Sequence, residues 1–232
     1  GRLTGKPGVI AGQGPFVASA GLFGLMEGYL TSTPMLALAD VTEYGSFALH
    51  APFQCGTGDY GGLDLKEIFK GTTKFVTVAT SPLEAVQGVQ LAIKHAVSGR
   101  PGPTACLFRV PSLKGELTAE NLARIFPISK YLKVGKPAAS PGDLERAADM
   151  LLTAQRPVII AGNGVHASKA YTELVRLAEM GNFPVATSYQ GKSSIPESHP
   201  LAVGVMNMYG EKVALKTISQ SDLLLIIGCR MK

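Results

Sequence analysis

Short apolar runs alternate with stretches of helical period along most of the chain. Residues 9–12 read as a short strand. Across residues 17–30, Leu22, Leu25, Met26 and Tyr29 recur at helical spacing. Ala18, Ala20, Gly21 and Gly24 are small enough to let that helix pack closely on a sheet. Pro34 then precedes Met35-Leu36-Ala37-Leu38-Ala39, an unbroken apolar run that suits a strand buried on both faces. Residues 64–69 read as a short helix, and Phe75-Val76-Thr77-Val78 and residues 103–108 as further strands. Between them, Ser81-Pro82-Leu83-Glu84 is a capping box with proline at the first helical position, a cap that contributes about 1 kcal/mol. The helix it opens carries Val86, Val89, Ile93 and Val97 toward a core, and Gly99 is a natural stop.

Residues 42–62 break this rhythm with glycines and few periodic apolar positions, and a loop of that length is usually functional or mobile. Residues 111–139 also lack period and hold prolines at 111, 127 and 137, the features of an interdomain linker. A second series follows: a helix from Ser140-Pro141-Gly142-Asp143 to about 154, a strand over 157–161, a turn at Gly162-Asn163-Gly164, a helix over 168–180, a strand over 183–187, a loop through Gly191 and Pro196, a helix near 212–218 and a strand over 223–227. Alternating strands and helices predict parallel sheets with right-handed crossovers. The expected fold is therefore α/β, with two doubly wound parallel-sheet domains at residues 1–110 and 140–232. The opening Gly1-Arg2-Leu3-Thr4-Gly5-Lys6-Pro7 reads as a turn inside a protein, and the chain stops just after an apolar strand. Both ends are expected to be cut points, and both domains incomplete.

Composition narrows the classes. Of 232 residues, 46% are hydrophobic and 17% charged, which excludes a disordered chain. The net charge of +5 is spread without a basic run, so no nucleic-acid partner is expected. No apolar stretch reaches the roughly 18 residues of a membrane span. Cys55, Cys106 and Cys229 are far apart and form no metal-ligand spacing; Cys106 and Cys229 read as buried, inert thiols, and a reducing cytoplasm is the simplest setting. His50, His95, His166 and His199 show no ligand spacing either, with His95 on a helix and the others in loops.

One motif carries chemistry by itself. Gly162-x-Gly164-x-x-Ala167 lies between a predicted strand and a predicted helix, the setting of a dinucleotide-phosphate turn. The carboxylate that holds a ribose in NAD sites is missing: Thr187, Ser188 and Tyr189 occupy its place. Either these glycines make a tight strand-to-helix turn, or they bring backbone up to a phosphate. Gly228, closing the last strand, and Thr187 would reach the same sheet edge, where open parallel sheets bind ligands.

Several stretches together resemble the thiamine-diphosphate-dependent enzymes that include acetolactate synthase. Gly5-Lys6-Pro7-Gly8-Val9 leading to Gly14-Pro15 is similar to a segment of that family's pyrimidine-binding domain, as are Ser32-Thr33-Pro34-Met35-Leu36-Ala37-Leu38 and Ser98-Gly99-Arg100-Pro101-Gly102-Pro103. Arg156-Pro157-Val158-Ile159-Ile160-Ala161-Gly162-Asn163-Gly164-Val165 resembles the opening of its central domain. Pro184-Val185-Ala186-Thr187, Gly191-Lys192, Ile195-Pro196-Glu197, His199-Pro200-Leu201 and Gly228-Cys229-Arg230 follow in the family's order.

The resemblance implies the latter part of a pyrimidine-binding domain, a linker and the front part of a central domain. It implies thiamine diphosphate and Mg2+ in the complete enzyme, FAD in some members, a small 2-oxo acid or related carbonyl substrate, and a homo-oligomer, dimer or tetramer. Gly14 and Pro15 would line the pyrimidine pocket, and Tyr60 and Gly61 would face the substrate. Gly162, Gly164, Thr187, Gly228 and Arg230 would lie along a flavin. The family's Phe-Gln pair before its Thr-Lys-aromatic strand is replaced by Tyr60-Gly61, counting back from Thr73-Lys74-Phe75, while Phe53-Gln54 occurs earlier. That departure leaves decarboxylation, carboligation and C–C cleavage all open. The family's proton-relay glutamate has no counterpart, since Glu27 and Glu43 fall at the wrong places. Nor is there a Gly-Asp-Gly metal segment; Gly58-Asp59-Tyr60 is no substitute. No catalytic or metal-binding residue is therefore assigned. A rival reading is a non-catalytic nucleotide- or FAD-binding module built on the Gly162 turn. The chain assayed alone with thiamine diphosphate and Mg2+ is expected to show no turnover of a 2-oxo acid, and clear activity would contradict this reading.

Overall fold

The computed structural model describes residues 1–41, 56–131 and 138–231. Glu43, His50, Phe53, Gln54 and Cys55 lie outside the described residues. The chain forms two compact units, Gly1–Gly135 and Lys136–Lys232.

In the first unit the elements run β1 (Gly8–Gly12), α1 (Gly14–Ser19), α2 (Leu22–Thr31), β2 (Met35–Asp40), a 3-10 turn at Asp59–Gly61, α3 (Leu65–Lys70), β3 (Phe75–Ala79), α4 (Pro82–Val97), β4 (Pro103–Phe108), α5 (Val110–Lys114) and α6 (Ile128–Tyr131). The single helix expected over 17–30 is two. α1 closes where the Ala20 and Gly21 amides both donate to the Phe16 carbonyl, and α2 starts afresh with Leu25 N donating to Gly21 O. The Ser19 hydroxyl donates back to Pro15 O at 2.7 Å, which satisfies a carbonyl at the break.

The four strands form one parallel sheet in the order β1-β2-β4-β3. β4 is buried along its whole length, as expected for a central strand with helices on both faces. Its side chains alternate. Ala105 and Leu107 pack with Val17, Leu25, Ala37, Ala39, Leu65 and Phe69 under α1, α2 and α3. Cys106 and Phe108 pack with Leu36, Ala79 and Ala92 under α4. Fully burying Phe69 or Leu65 contributes about 1.5–3 kcal/mol each. The buried Thr104 hydroxyl is satisfied by the Met35 and Ala92 carbonyls at 3.2 and 3.1 Å.

α4 packs Val89 and Ile93 against the core as expected, but its most deeply buried row is made of small residues. Gly88, Ala92 and Ala96 form the buried row, and Val86, Val89, Ile93 and Val97 flank it, partly buried. The reason is steric: a Cβ on Gly88 would sit 3.0 Å from Cys106 Sγ, so only small residues let this helix come so near. The capping box is modified too. Ser81 Oγ accepts from Glu84 N, but the Glu84 carboxylate reaches back to the amide and hydroxyl of Thr80, both at 2.7 Å. Those bonds hold its pKa below the ordinary value. Burial pushes the Cys106 thiol up to about 12, which makes it unreactive.

In the second unit the order is α7 (Pro141–Thr153), β5 (Pro157–Ala161), α8 (Asn163–Ser168), α9 (Tyr171–Gly181), β6 (Val185–Thr187), a 3-10 turn at Tyr189–Gly191, β7 (Ala202–Val205), α10 (Lys212–Ser219) and β8 (Leu223–Ile227). These strands are also all parallel, in the order β7-β6-β5-β8. Two flanked parallel sheets are the α/β doubly wound architecture the sequence predicts. The core gathers Ile159, Ala161, Val165, Leu174, Ala178, Val185 and Ile195.

Three expectations change here. β7 was not foreseen, because it is short, carries Gly204 at φ 95° and meets β6 through an irregular register. His166 belongs to α8, not to a loop. Cys229 is only half-buried, and its thiol donates to Met231 Sδ at 3.8 Å.

Asp222 ties the starts of β5 and β8 together. Its carboxylate accepts from Gln155 N at 2.7 Å and Arg156 N at 2.9 Å. These two amides hold its pKa below the ordinary aspartate value. A depressed folded pKa stabilises the fold above the unfolded value, near pH 4 for aspartate, and that contribution is lost as pH falls through the lowered folded value. Asp222→Asn is therefore expected to flatten the acid limb of the second unit's melting-temperature profile below about pH 4. An unchanged acid limb would contradict the clasp.

Candidate functional site

Parallel strands end on a common side, so each unit has one carboxyl edge where turns from different strands meet. In the first unit this edge carries Gly12 and Gln13 after β1, Asp40 and Val41 after β2, Thr80 after β3 and Arg109 after β4. Gly14 is buried. Its amide donates to Asp40 Oδ1 at 2.6 Å, and a Cβ added to it would drive into the Asp40 carbonyl oxygen and Leu65 Cδ1. Glycine is required there by close approach. Pro15 follows at the start of α1, where the missing N–H costs nothing.

Tyr60 and Gly61 lie in the 3-10 turn, with Gly61 at φ 75°. The segment carrying them is rooted at the same edge. Val41 N donates to Phe108 O, Gly56 N to Val41 O and Leu65 N to Gly56 O. An antiparallel bridge between Thr57 and Asp64 closes the neck, and Asp64 Oδ1 caps α3 by accepting from Glu67 N at 3.0 Å. Gly14-Pro15 and the Tyr60-Gly61 turn, far apart in sequence, are thus joined through Asp40, Val41 and Leu65. Sequence reasoning missed Asp40; the one available signal was a carboxylate ending an apolar strand.

Two of the stretches that resemble the family, around Ser32 and Ser98-Gly99-Arg100, lie at the opposite, amino edge. The Lys74 ammonium donates to the Ser98 and Arg100 carbonyls at 2.8 and 2.6 Å. The Arg100 guanidinium bonds Ser32 Oγ at 2.7 Å and the Tyr29 carbonyl, and lies 5.4 Å from the Tyr29 ring centre. These residues latch turns together. Burial, then the Arg100 charge, lowers the Lys74 pKa. His95 stacks on Phe75 at 4.3 Å, and burial lowers its pKa, with the Lys74 and Lys94 charges adding to the shift.

In the second unit Gly162, Gly164 and Gly228 do meet, at the ends of β5 and β8. The Gly162 amide donates to Ile227 O at 2.8 Å and the Gly164 amide to Gly228 O at 2.9 Å. A Cβ on Gly164 would lie 2.5 Å from Gly228 Cα, and one on Gly162 2.5 Å from Cys229 Cα. The glycines let two stretches of chain touch, and both amides are spent on carbonyls. This turn does not fit a phosphate group. Thr187 is buried beside it and lines a cavity of about 320 Å³ with Lys192, Glu197, Glu211 and β7. Lys192 and Glu197 form an exposed ion pair at 3.1 Å. Arg230 is exposed beyond the Gly228 turn.

Among the described residues no cluster of His, Cys, Asp or Glu is placed to hold a metal ion, and no helix is long and apolar enough to cross a membrane. At the first unit's edge Gly12 is exposed, Pro15 is half-buried, and the buried Gly14 between them is held by Asp40. Nothing described here suits a diphosphate with its metal.

Residues 144–232 match the family described as thiamine pyrophosphate enzyme, central domain. The chain is 32% identical over 234 residues to the probable acetolactate synthase large subunit of Methanocaldococcus jannaschii, covering 99% of this chain and 37% of that protein. It is 31% identical to the acetolactate synthase large subunit of Corynebacterium glutamicum, over 99% of this chain and 35% of the relative. It is 29% identical to the sulfoacetaldehyde acetyltransferase of Alcaligenes xylosoxydans xylosoxydans, over 99% of this chain and 36% of the relative. Residues 144–232 thus carry the central domain of the thiamine-diphosphate-dependent enzymes, and nearly the whole chain is similar to members of that family. The similarity is to acetolactate-synthase-like members, and the chain spans a little over a third of the length of these relatives.

Gly162→Ala is expected to destabilise the second unit by about 2 kcal/mol in denaturant unfolding, with or without added nucleotide. Unchanged stability with loss of nucleotide binding would restore the phosphate reading.

Proposed function

We propose that this chain is part of a thiamine-diphosphate-dependent enzyme that decarboxylates or joins 2-oxo acids or related carbonyl substrates. The observation that carries the reading is the similarity to acetolactate synthase large subunits across 99% of the chain. Bound thiamine diphosphate supplies a nucleophilic carbon and an electron sink for such substrates. In this reading residues 1–110 belong to the pyrimidine-binding domain, 111–139 to a linker and 140–232 to the central domain. The Gly14-Pro15 turn lines the pyrimidine pocket, and the Tyr60-Gly61 turn faces the substrate. Mg2+ accompanies the diphosphate, held by residues other than those described here.

The engaged amides of Gly162 and Gly164 count against a flavin diphosphate at that turn, and the proposal needs no flavin. A dimer or tetramer is part of the proposal, supported by the apolar face of α2, where Phe23 is 82% and Leu30 61% exposed. A cytoplasmic setting is also proposed, in keeping with the free thiols of Cys106 and Cys229.

The test is turnover of pyruvate and other 2-oxo acids by the full-length gene product. Activity is expected to require both thiamine diphosphate and Mg2+. Tight binding of FAD, ADP or acyl-CoA without any thiamine dependence would overturn the proposal.

A further inference from the structure

We propose that Asp40 is a positioning residue for the pyrimidine end of thiamine diphosphate, acting through the Gly14 amide; the proposal rests on the thiamine reading above. The first amides of any helix lack partners within it. In α1 the residue before the helix is Gln13, whose side chain makes no capping bond. The next residue after Gly14 is Pro15, which has no N–H. The Gly14 amide, the first of the helix, is taken by a carboxylate from another strand. Asp40 Oδ1 stands 2.6 Å from Gly14 N. A bond to an ionised acceptor is roughly twice as strong as a neutral one, and here it links β2 to the β1–α1 turn.

Asp40 also stands at the node that carries the second turn. Its neighbour Val41 is 2% exposed and bonds β4 through its amide and Gly56 through its carbonyl. Gly56 in turn receives the Leu65 amide. The Leu65 side chain, fully buried, fills the space that a Cβ on either Gly14 or Gly56 would need. Freeing the Gly14 amide therefore loosens two things together: the turn that would meet the cofactor ring, and the neck of the turn that would meet the substrate. Asp40 touches neither ligand; it fixes the backbone that does.

The experiment compares Asp40→Ala, Asp40→Asn and Thr104→Val in the full-length gene product. Thiamine diphosphate affinity is read by calorimetric titration with Mg2+ present, and backbone exchange by hydrogen–deuterium mass spectrometry. Thr104→Val is the control: it removes buried bonds near the amino end of the same sheet, away from the Gly14 turn, and it should lower the melting temperature without changing cofactor affinity. Asp40→Ala is expected to weaken cofactor binding about tenfold and to speed exchange at residues 13–17 and 56–65. Asp40→Asn keeps an acceptor and should restore both most of the way. If Asp40→Ala speeds exchange but binds cofactor like the parent, Asp40 is only structural, and the positioning proposal fails while the thiamine reading stands. If the parent protein itself binds no thiamine diphosphate, the thiamine reading fails and takes this proposal with it.

Discussion

A parallel sheet delivers every strand end to one side, and each chain leaving that side starts a turn whose amides need acceptors. That constraint organises both units. In the first, the need is met by a carboxylate reaching across from a neighbouring strand, Asp40 to Gly14. In the second, it is met by backbone alone, with Gly162 and Gly164 bonded to the carbonyls that end β8. One solution leaves a polar, side-chain-built turn beside a rooted loop. The other closes the Gly162 turn with chain against chain. The same geometric problem is thus solved once by a side chain and once by backbone packing.

Glycine placement follows from this contrast. At Gly14 and at Gly162 the side chain is absent because other parts of the protein occupy its space. A Gly-x-Gly turn in a sequence is usually taken as room for a phosphate. Here the room is used, and the cavity of the second unit lies instead against β6 and β7, under Lys192, Glu197 and Glu211, with Thr187 on its wall. Burial acts in the same economical way on α4, where Gly88, Ala92 and Ala96 bring a helix onto the sheet and leave the larger side chains to the flanks.

Much of the architecture was legible in the sequence. The apolar runs at Met35, Phe75, Pro103, Pro157 and Leu223 all became strands; continuous hydrophobicity suits the buried β4 and β5, and it also marked β3 and β8, which are only partly buried. The caps at Ser81 and Ser140 also stood out. What stayed hidden depended on contacts across the sequence. β7 is too short, and too disturbed by Gly204, to show a period. The break between α1 and α2 lies in a run whose apolar spacing looks continuous. The value of Asp40 comes from a residue 26 positions away, and no local pattern encodes such a bond. Family resemblance supplied Gly14 and Pro15, while the residue that holds them emerged only from the fold.

The account stands on the first unit's carboxyl edge as the place where the cofactor's ring is met. A crystal structure of the full-length gene product with thiamine diphosphate bound addresses this directly. The account predicts the aminopyrimidine against residues 12–15 with the Gly14–Asp40 bond intact. A cofactor bound elsewhere, with this turn facing only solvent or protein, would contradict it.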